Sequence, residues 1–181
     1  MDQLKQEYSL EITYKSYYLR PDIPPEGNVR PLRDDEKVGA LLTGHIGEVA
    51  DNAGLTMKRA AVTPNTRMAF EASEFAKDKG VFEEFHRACY RAFWENGADL
   101  GKLSVLQNIG EQVGIDAQEM KNILDTNHYT TQTREQYDEA LSIGVSGIPS
   151  FIIGGYFFSG AQPYEIFKKV VEAVKRPMQL L

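Results

Sequence analysis

Two adjacent glycines, Gly154-Gly155, set between two short apolar runs constrain this chain more than any other feature. Glycine accepts the positive φ that both central positions of a two-residue hairpin turn require, so Ser150–Ile153 and Tyr156–Ser159 are predicted to pair antiparallel. Upstream, a helix is expected to end at Gly144, Gly147 loosens the backbone, and Ile148-Pro149 leads into the first strand. A proline cannot donate to a sheet ladder and belongs at a strand's first position or on an edge. A cis Ile148–Pro149 bond meets both demands, but the residues alone leave the isomer open. Downstream, Pro163 falls where the first turn of a helix tolerates a missing N–H. That helix, Tyr164 to Lys175, carries Ile166, Phe167, Val170, Val171 and Val174 on one side.

Before this stretch the order is part-helix, strand, then a series of helices. Met1 to Tyr8 has helical spacing without a capping residue, and reads as the last turns of a helix whose start is missing. Leu10, Ile12 and Tyr14 alternate with polar residues, the period of a strand running to about Tyr18. Pro21 to Pro31, with four prolines, is an extended loop. Asp34-Asp35-Glu36 is placed at a helix start, with Val38, Leu41, Leu42, Ile46 and Val49 as its apolar face and an end at Gly54. A short extended piece follows to Val62. Asn65 or Thr66 is expected to cap a helix that turns Met68, Ala69, Ala72, Phe75 and Ala76 inward and closes at Gly80. Further helices cover Val81–Trp94, Leu103–Val113 and Asp116–Leu124, the last opened by a capping-box variant, Asp116 to Glu119. Asn127 is expected to cap the helix that ends at Gly144, and the tail from Pro177 to fray. The fold class is α/β: a small sheet built from residues 1–31 and 127–181, with an all-helical insertion over 32–126.

The 42% hydrophobic and 25% charged composition is that of an ordinary globular chain, and the net charge of −6 disfavours nucleic acid and anionic membranes. No apolar run approaches the ~20 residues needed to cross a bilayer, and the start does not resemble a signal peptide. One cysteine permits no intrachain disulfide, so a reducing, cytoplasmic setting is expected. His45, His86 and His128 lack second ligands at metal-binding spacing, and no metal site is expected. Cys89, among Phe82, Phe85 and Phe93, reads as a small core residue. Tyr90, Phe93 and Trp94 read as core or as lining for an apolar groove.

Gly144-Val-Ser-Gly-Ile-Pro-Ser-Phe151, the hairpin, and Ser159-Gly-Ala-Gln-Pro163 before an amphipathic helix resemble the C-terminal half of a DsbA-family thioredoxin fold. The Ser-Gly-Ala-Gln-Pro ending is similar to the FrnE-like branch, whereas the related 2-hydroxychromene-2-carboxylate isomerases and kappa-class glutathione transferases tend to carry Gly-Gln-Asp there. Leu19-Arg20-Pro21-Asp22 and Pro64-Asn65-Thr66 extend the likeness back to about Ser9. The resemblance implies a thioredoxin-like fold, a cis Pro149 facing a redox dithiol, and thiol–disulfide exchange. It also implies a first strand and a Cys-x-x-Cys helix start that have no counterpart here, so a truncated N-terminus is expected and no catalytic residue is assigned in the chain.

The site residues the resemblance implies are Ser146, Gly147, Ile148 and Pro149, with Ile148 offering its backbone to an extended substrate by strand addition. Asn65 and Thr66 border the groove in the same reading, while plain helix capping explains their types equally well. Gln162 contacts a ligand or serves as an N-cap before Pro163. The expected partners are a protein or small-molecule thiol or disulfide substrate and, through open sheet edges, a homodimer; no cofactor is expected, with glutathione as a substrate or ligand. The alternatives are a glutathione-dependent isomerase or transferase, and a redox-inactive binding module.

Overall fold

The structure, a computed structural model, describes residues 1–175, so the expectation for the tail from Pro177 lies outside the described residues. The elements are α1 (Asp2–Glu7), β1 (Asn28–Val29), α2 (Gly44–Asn52), β2 (Val62–Thr63), α3 (Arg67–Asp78), α4 (Phe82–Trp94), α5 (Leu103–Gln112), α6 (Ala117–Asp125), α7 (Thr130–Ser142), β3 (Ser150–Ile153), β4 (Tyr156–Ser159) and α8 (Tyr164–Lys175). The chain divides into two compact units: Met1–Leu19 with the residues from Gln136 onward, and Arg20–Glu135. The division expected from sequence fell instead after residues 31 and 126.

In the first unit the hairpin forms where the sequence puts it. Ser150 pairs with Ser159, Phe151 with Phe158, Ile152 with Phe157 and Ile153 with Tyr156, and both turn glycines have positive φ, 53° at Gly154 and 89° at Gly155. Helix α8 covers one face of the hairpin through Phe167, whose ring meets Phe151 at 4.7 Å and Phe158 at 5.2 Å. The helix comes so close to the turn that a Cβ on Gly154 would stand 2.3 Å from Cγ2 of Val174. On another side of α8, Glu172 accepts from the Tyr8 hydroxyl at 3.1 Å and Lys168 pairs with Glu7.

Leu10 to Tyr18 differs from expectation. Its alternation is realised as burial, with Leu10, Ile12, Tyr14, Ser16 and Tyr18 turned inward and Glu11, Thr13 and Lys15 exposed. It makes no ladder, however, and is not a strand. The Ser16 N–H is taken by Oε1 of Gln136 at 2.6 Å, and Tyr17 and Tyr18 pack on the Tyr137 ring. Side-chain pattern sets which residues face inward, but a strand also needs a neighbour for its backbone.

The second unit is helical with a small ribbon. Ala72, Ala76, Phe85, Cys89, Leu106, Ile109, Met120 and Leu124 from α3 to α6 form its core. Asp116 caps α6 as expected, accepting from the Gln118 and Glu119 N–H groups at 2.8 and 2.9 Å. The helix expected from Asp34 forms only from Gly44. The backbone ahead of it is claimed by pairing: Gly39 donates to the Arg59 carbonyl, Arg59 to Ala40 and Leu42 to Met57, with a β-bridge between Leu41 and Lys58. Further back the loop expected between Pro21 and Pro31 contributes β1, which pairs antiparallel with β2. Asn127 does not cap α7; it ends α6. At φ 52°, it sits one residue past the C-cap Thr126 while His128 and Asn127 donate to the carbonyls of Ile123 and Leu124, a Schellman closure with asparagine in the usual glycine place.

Candidate functional site

The Ile148–Pro149 bond is cis, and the loop around it is held from both sides. Oγ of Ser150 donates to the Gly147 carbonyl at 2.7 Å, and the Tyr17 hydroxyl donates to the Val145 carbonyl at 3.3 Å. A two-residue turn makes Ile153–Tyr156 a hydrogen-bonded pair, so along the hairpin the bonded pairs alternate: Ile153–Tyr156, then Phe151–Phe158. The ladder closes where the Gly160 N–H reaches the Pro149 carbonyl at 2.8 Å. Ser150 and Ile152 therefore direct their N–H and C=O groups away from β4, along the outer edge of β3. Neither they nor Ile148 has a backbone partner among the described residues. Ile148 is about half exposed, as are Ile152 and Phe157 on the hairpin face turned away from α8.

No charged side chain stands between Glu139 and Glu165. This stretch thus presents backbone amide groups, uncharged polar side chains and apolar surface. Gln162, exposed, bridges its own loop by donating Nε2 to the Ser159 carbonyl at 2.8 Å, leaving its Oε1 available. Ser146, Gly147, Ile148, Pro149 and Gln162 belong to the first unit, and Asn65 and Thr66 to the second. Asn65 is occupied structurally: Oδ1 accepts from the Arg67 N–H at 3.0 Å and Nδ2 donates to the Ile23 carbonyl at 2.6 Å. Thr66 takes the N-cap position of α3 without a side-chain bond.

Cys89 is 6% exposed, and burial alone pushes its thiol up to about 12. At neutral pH it is a protonated core group and no nucleophile. Phe93 and Trp94 pack edge to face at 4.7 Å, half-buried, while Tyr90 is exposed and continues a row with His86 and Phe82. A shallow cleft of about 450 Å³ beside α4 and α5, lined by Glu84, Arg87, Arg91 and Glu95, contains none of the expected site residues. Among the described residues no group of histidine, cysteine and acidic side chains is placed to hold a metal ion, and no helix is long and apolar enough to cross a membrane.

Two sets of residues escaped the sequence reading. Ser150 is one: a serine at a strand start carries no signal that it will tie the preceding loop. The other is a pair of buried carboxylates on the inner side of α3. Oε1 of Glu71 accepts from Arg67 at 2.6 Å and from Thr130 at 2.8 Å, while its Oε2 has no hydrogen-bond partner among the described residues; Glu74 accepts from Lys77 and Gln132, both at 2.7 Å. Their signal was available in the i, i+4 spacing of Arg67 to Glu71 and the i, i+3 spacing of Glu74 to Lys77.

The hairpin with its cis proline, the helix packed behind it and the helical unit spliced into the chain define a thioredoxin-like α/β protein of the DsbA type. The family model of the DSBA-like thioredoxin domain matches residues 1–172, and the chain belongs to that family. A curated relative, the uncharacterized protein YwbO of Bacillus subtilis (strain 168), is 28% identical over 168 residues, covering 90% of this chain and 81% of its own length. Among solved structures, a protein described as "probable DsbA oxidoreductase SCO1869" from Streptomyces coelicolor superposes with a TM-score of 0.74 at 22% identity, covering 94% of this chain and 79% of the other. A 2-hydroxychromene-2-carboxylate isomerase superposes with a TM-score of 0.68 at 19% identity, covering 96% and 85%. The family is one of thiol oxidoreductases; with one cysteine, these 181 residues hold no Cys-x-x-Cys dithiol.

Proposed function

We propose that the chain serves thiol–disulfide exchange by holding an extended substrate segment against the Pro149 loop, with the exchanging thiols supplied from outside these 181 residues. The observation that carries this reading is the outer edge of β3. Ile148, Ser150 and Ile152 present backbone donors and acceptors without backbone partners among the described residues, beside exposed apolar side chains and without a charged group. An incoming strand satisfies those groups whatever its sequence, which suits an exchanger that meets many substrates. Gly147 and Ser146 keep the approach free of bulk and Gln162 offers Oε1, while Asn65 and Thr66 shape the start of α3 within the second unit. We place the activity in a reducing, cytoplasmic setting on the strength of the single buried thiol, and read the protein as a homodimer.

The glutathione-using alternative asks more of the loop than it has. A tripeptide with two carboxylates needs cationic partners, and the Glu139–Glu165 stretch supplies none. Titration calorimetry with a linear peptide carrying a disulfide, and separately with oxidised glutathione, tests the proposal. The peptide is expected to bind, and Ile148→Pro, which deletes one outward N–H, to weaken it by about tenfold, the worth of one hydrogen bond. Glutathione binding tighter than the peptide and indifferent to Ile148→Pro contradicts the reading and favours the isomerase or transferase class.

A further inference from the structure

We propose that Arg20, Arg30 and Arg59, all in the Arg20–Glu135 unit, form a binding site for a small oxyanion carrying two negative charges. The ribbon brings them together. Val29 pairs with Val62 and the Arg30 N–H reaches the Ala61 carbonyl at 2.9 Å, so Arg59 lies only two residues before the backbone partner of Arg30. The Arg59 guanidinium reaches the chain that follows Arg30: its Nη2 donates to the Pro31 carbonyl at 2.8 Å and to Glu36 at 2.9 Å. Arg20 starts the loop ahead of β1, and that loop is fastened to the end of the same ribbon by Asn65, whose Nδ2 donates to the Ile23 carbonyl at 2.6 Å.

The charges in this cluster do not balance. Glu36 serves Arg59 and also accepts from the Arg33 N–H. The side chains of Arg20 and Arg30 have neither an acidic nor a hydrogen-bond partner among the described residues. Arg30 is half-buried; burial, then the like charges of Arg59 and Arg20, hold its guanidinium below the ordinary value, and Glu36 opposes them. Asp34 and Asp35, in the adjoining loop, are exposed and are not among the charges acting on it. Arg59 is 14% exposed, and its Nε is buried with no hydrogen-bond partner among the described residues. A guanidinium taken partly out of water is normally faced by an anion, because desolvating a cation without one is costly. Three guanidinium groups against Glu36 leave two positive charges, which a dianion neutralises and a monoanion does not. Their forked N–H donors match the oxygens of carboxylate and phosphate. A polyanion is a poor occupant, since the net charge of −6 repels it beyond the reach of these three side chains.

Titration calorimetry of the full chain at low ionic strength, with inorganic phosphate at pH 8 and separately with succinate, tests this. Saturable binding of at least one dianion is expected. Tighter binding of phosphate supports the site with both charges on one group, and tighter binding of succinate supports it with the charges on two. Arg20→Gln and Arg30→Gln are each expected to raise the dissociation constant at least tenfold, the worth of a hydrogen bond to a charged group. Lys37→Gln, which removes an exposed cation of the same segment, is expected to leave it unchanged. Without added anion Arg30→Gln is expected to keep the wild-type thermal midpoint, since its side chain gives up no bond, whereas with phosphate or succinate the wild type gains stability and the variant does not. A wild type that takes up neither dianion at millimolar concentration overturns the inference. Binding that either arginine change leaves intact, or that Lys37→Gln weakens equally, overturns it as well.

Discussion

At the scale of single residues, chemistry follows surroundings. Cys89 has the side chain of a nucleophile, but enclosure in the α3–α6 core keeps it a neutral thiol. It is expected to react with Ellman's reagent at pH 8 only as fast as the chain unfolds, and at once in denaturant; rapid reaction of the native protein would place it at the surface. His86, stacked between Phe82 and Tyr90, is held below its ordinary pKa by burial, then by the nearby charges of Arg87 and Lys77. The folded chain therefore binds a proton there less readily than the unfolded chain, whose histidine titrates near 6.5. Between about pH 7 and 5 the unfolded state takes up more protons, so this residue makes stability fall with falling pH. The urea midpoint is expected to drop over that range and to drop less in His86→Gln. An equal drop in the variant would assign the effect to other groups.

Among the elements, the hairpin is where local chemistry and tertiary packing agree most closely. Gly154 needs both a positive φ and the space that Val174 leaves, whereas Gly155 needs only the φ, since a Cβ there would have nothing within 4 Å. Gly154→Ala is thus expected to cost about 2–4 kcal/mol, the left-handed penalty plus overpacking, and Gly155→Ala about 1–2 kcal/mol from the left-handed penalty alone. Equal losses in thermal or urea unfolding would mean that α8 does not press on the turn. The same contrast explains what could be read from sequence. The hairpin, α3 through α6 and α8 were legible because period, caps and glycines all pointed to one answer. The helix expected from Asp34 was not, because backbone pairing of residues 39–42 with 57–59 overrides a helical apolar period. Leu10–Tyr18 showed its inward face but not its lack of a ladder, since alternation says nothing about a neighbour. Asn127 was misplaced because the residue types that open a helix also tolerate the left-handed conformation that closes one.

For the whole molecule, the fold could be read from one end of the chain: the Gly144–Pro163 stretch carried the family, and the match over residues 1–172 bears it out. The candidate site was legible in part. Pro149 and its neighbours stood out by sequence, but the feature on which the proposed use rests, a strand edge without backbone partners among the described residues and without charge, depends on which residues of β3 turn away from β4. Whether this edge grips an extended substrate is decided most directly by amide mapping with NMR. On titration with a linear disulfide-bearing peptide, the amides of Ile148, Ser150 and Ile152 are predicted to shift and to gain protection from hydrogen exchange, while those of Phe151 and Ile153, already bonded to β4, stay in place. Shifts that spare these three amides and gather instead around Tyr90 and Trp94 on α4 would contradict it.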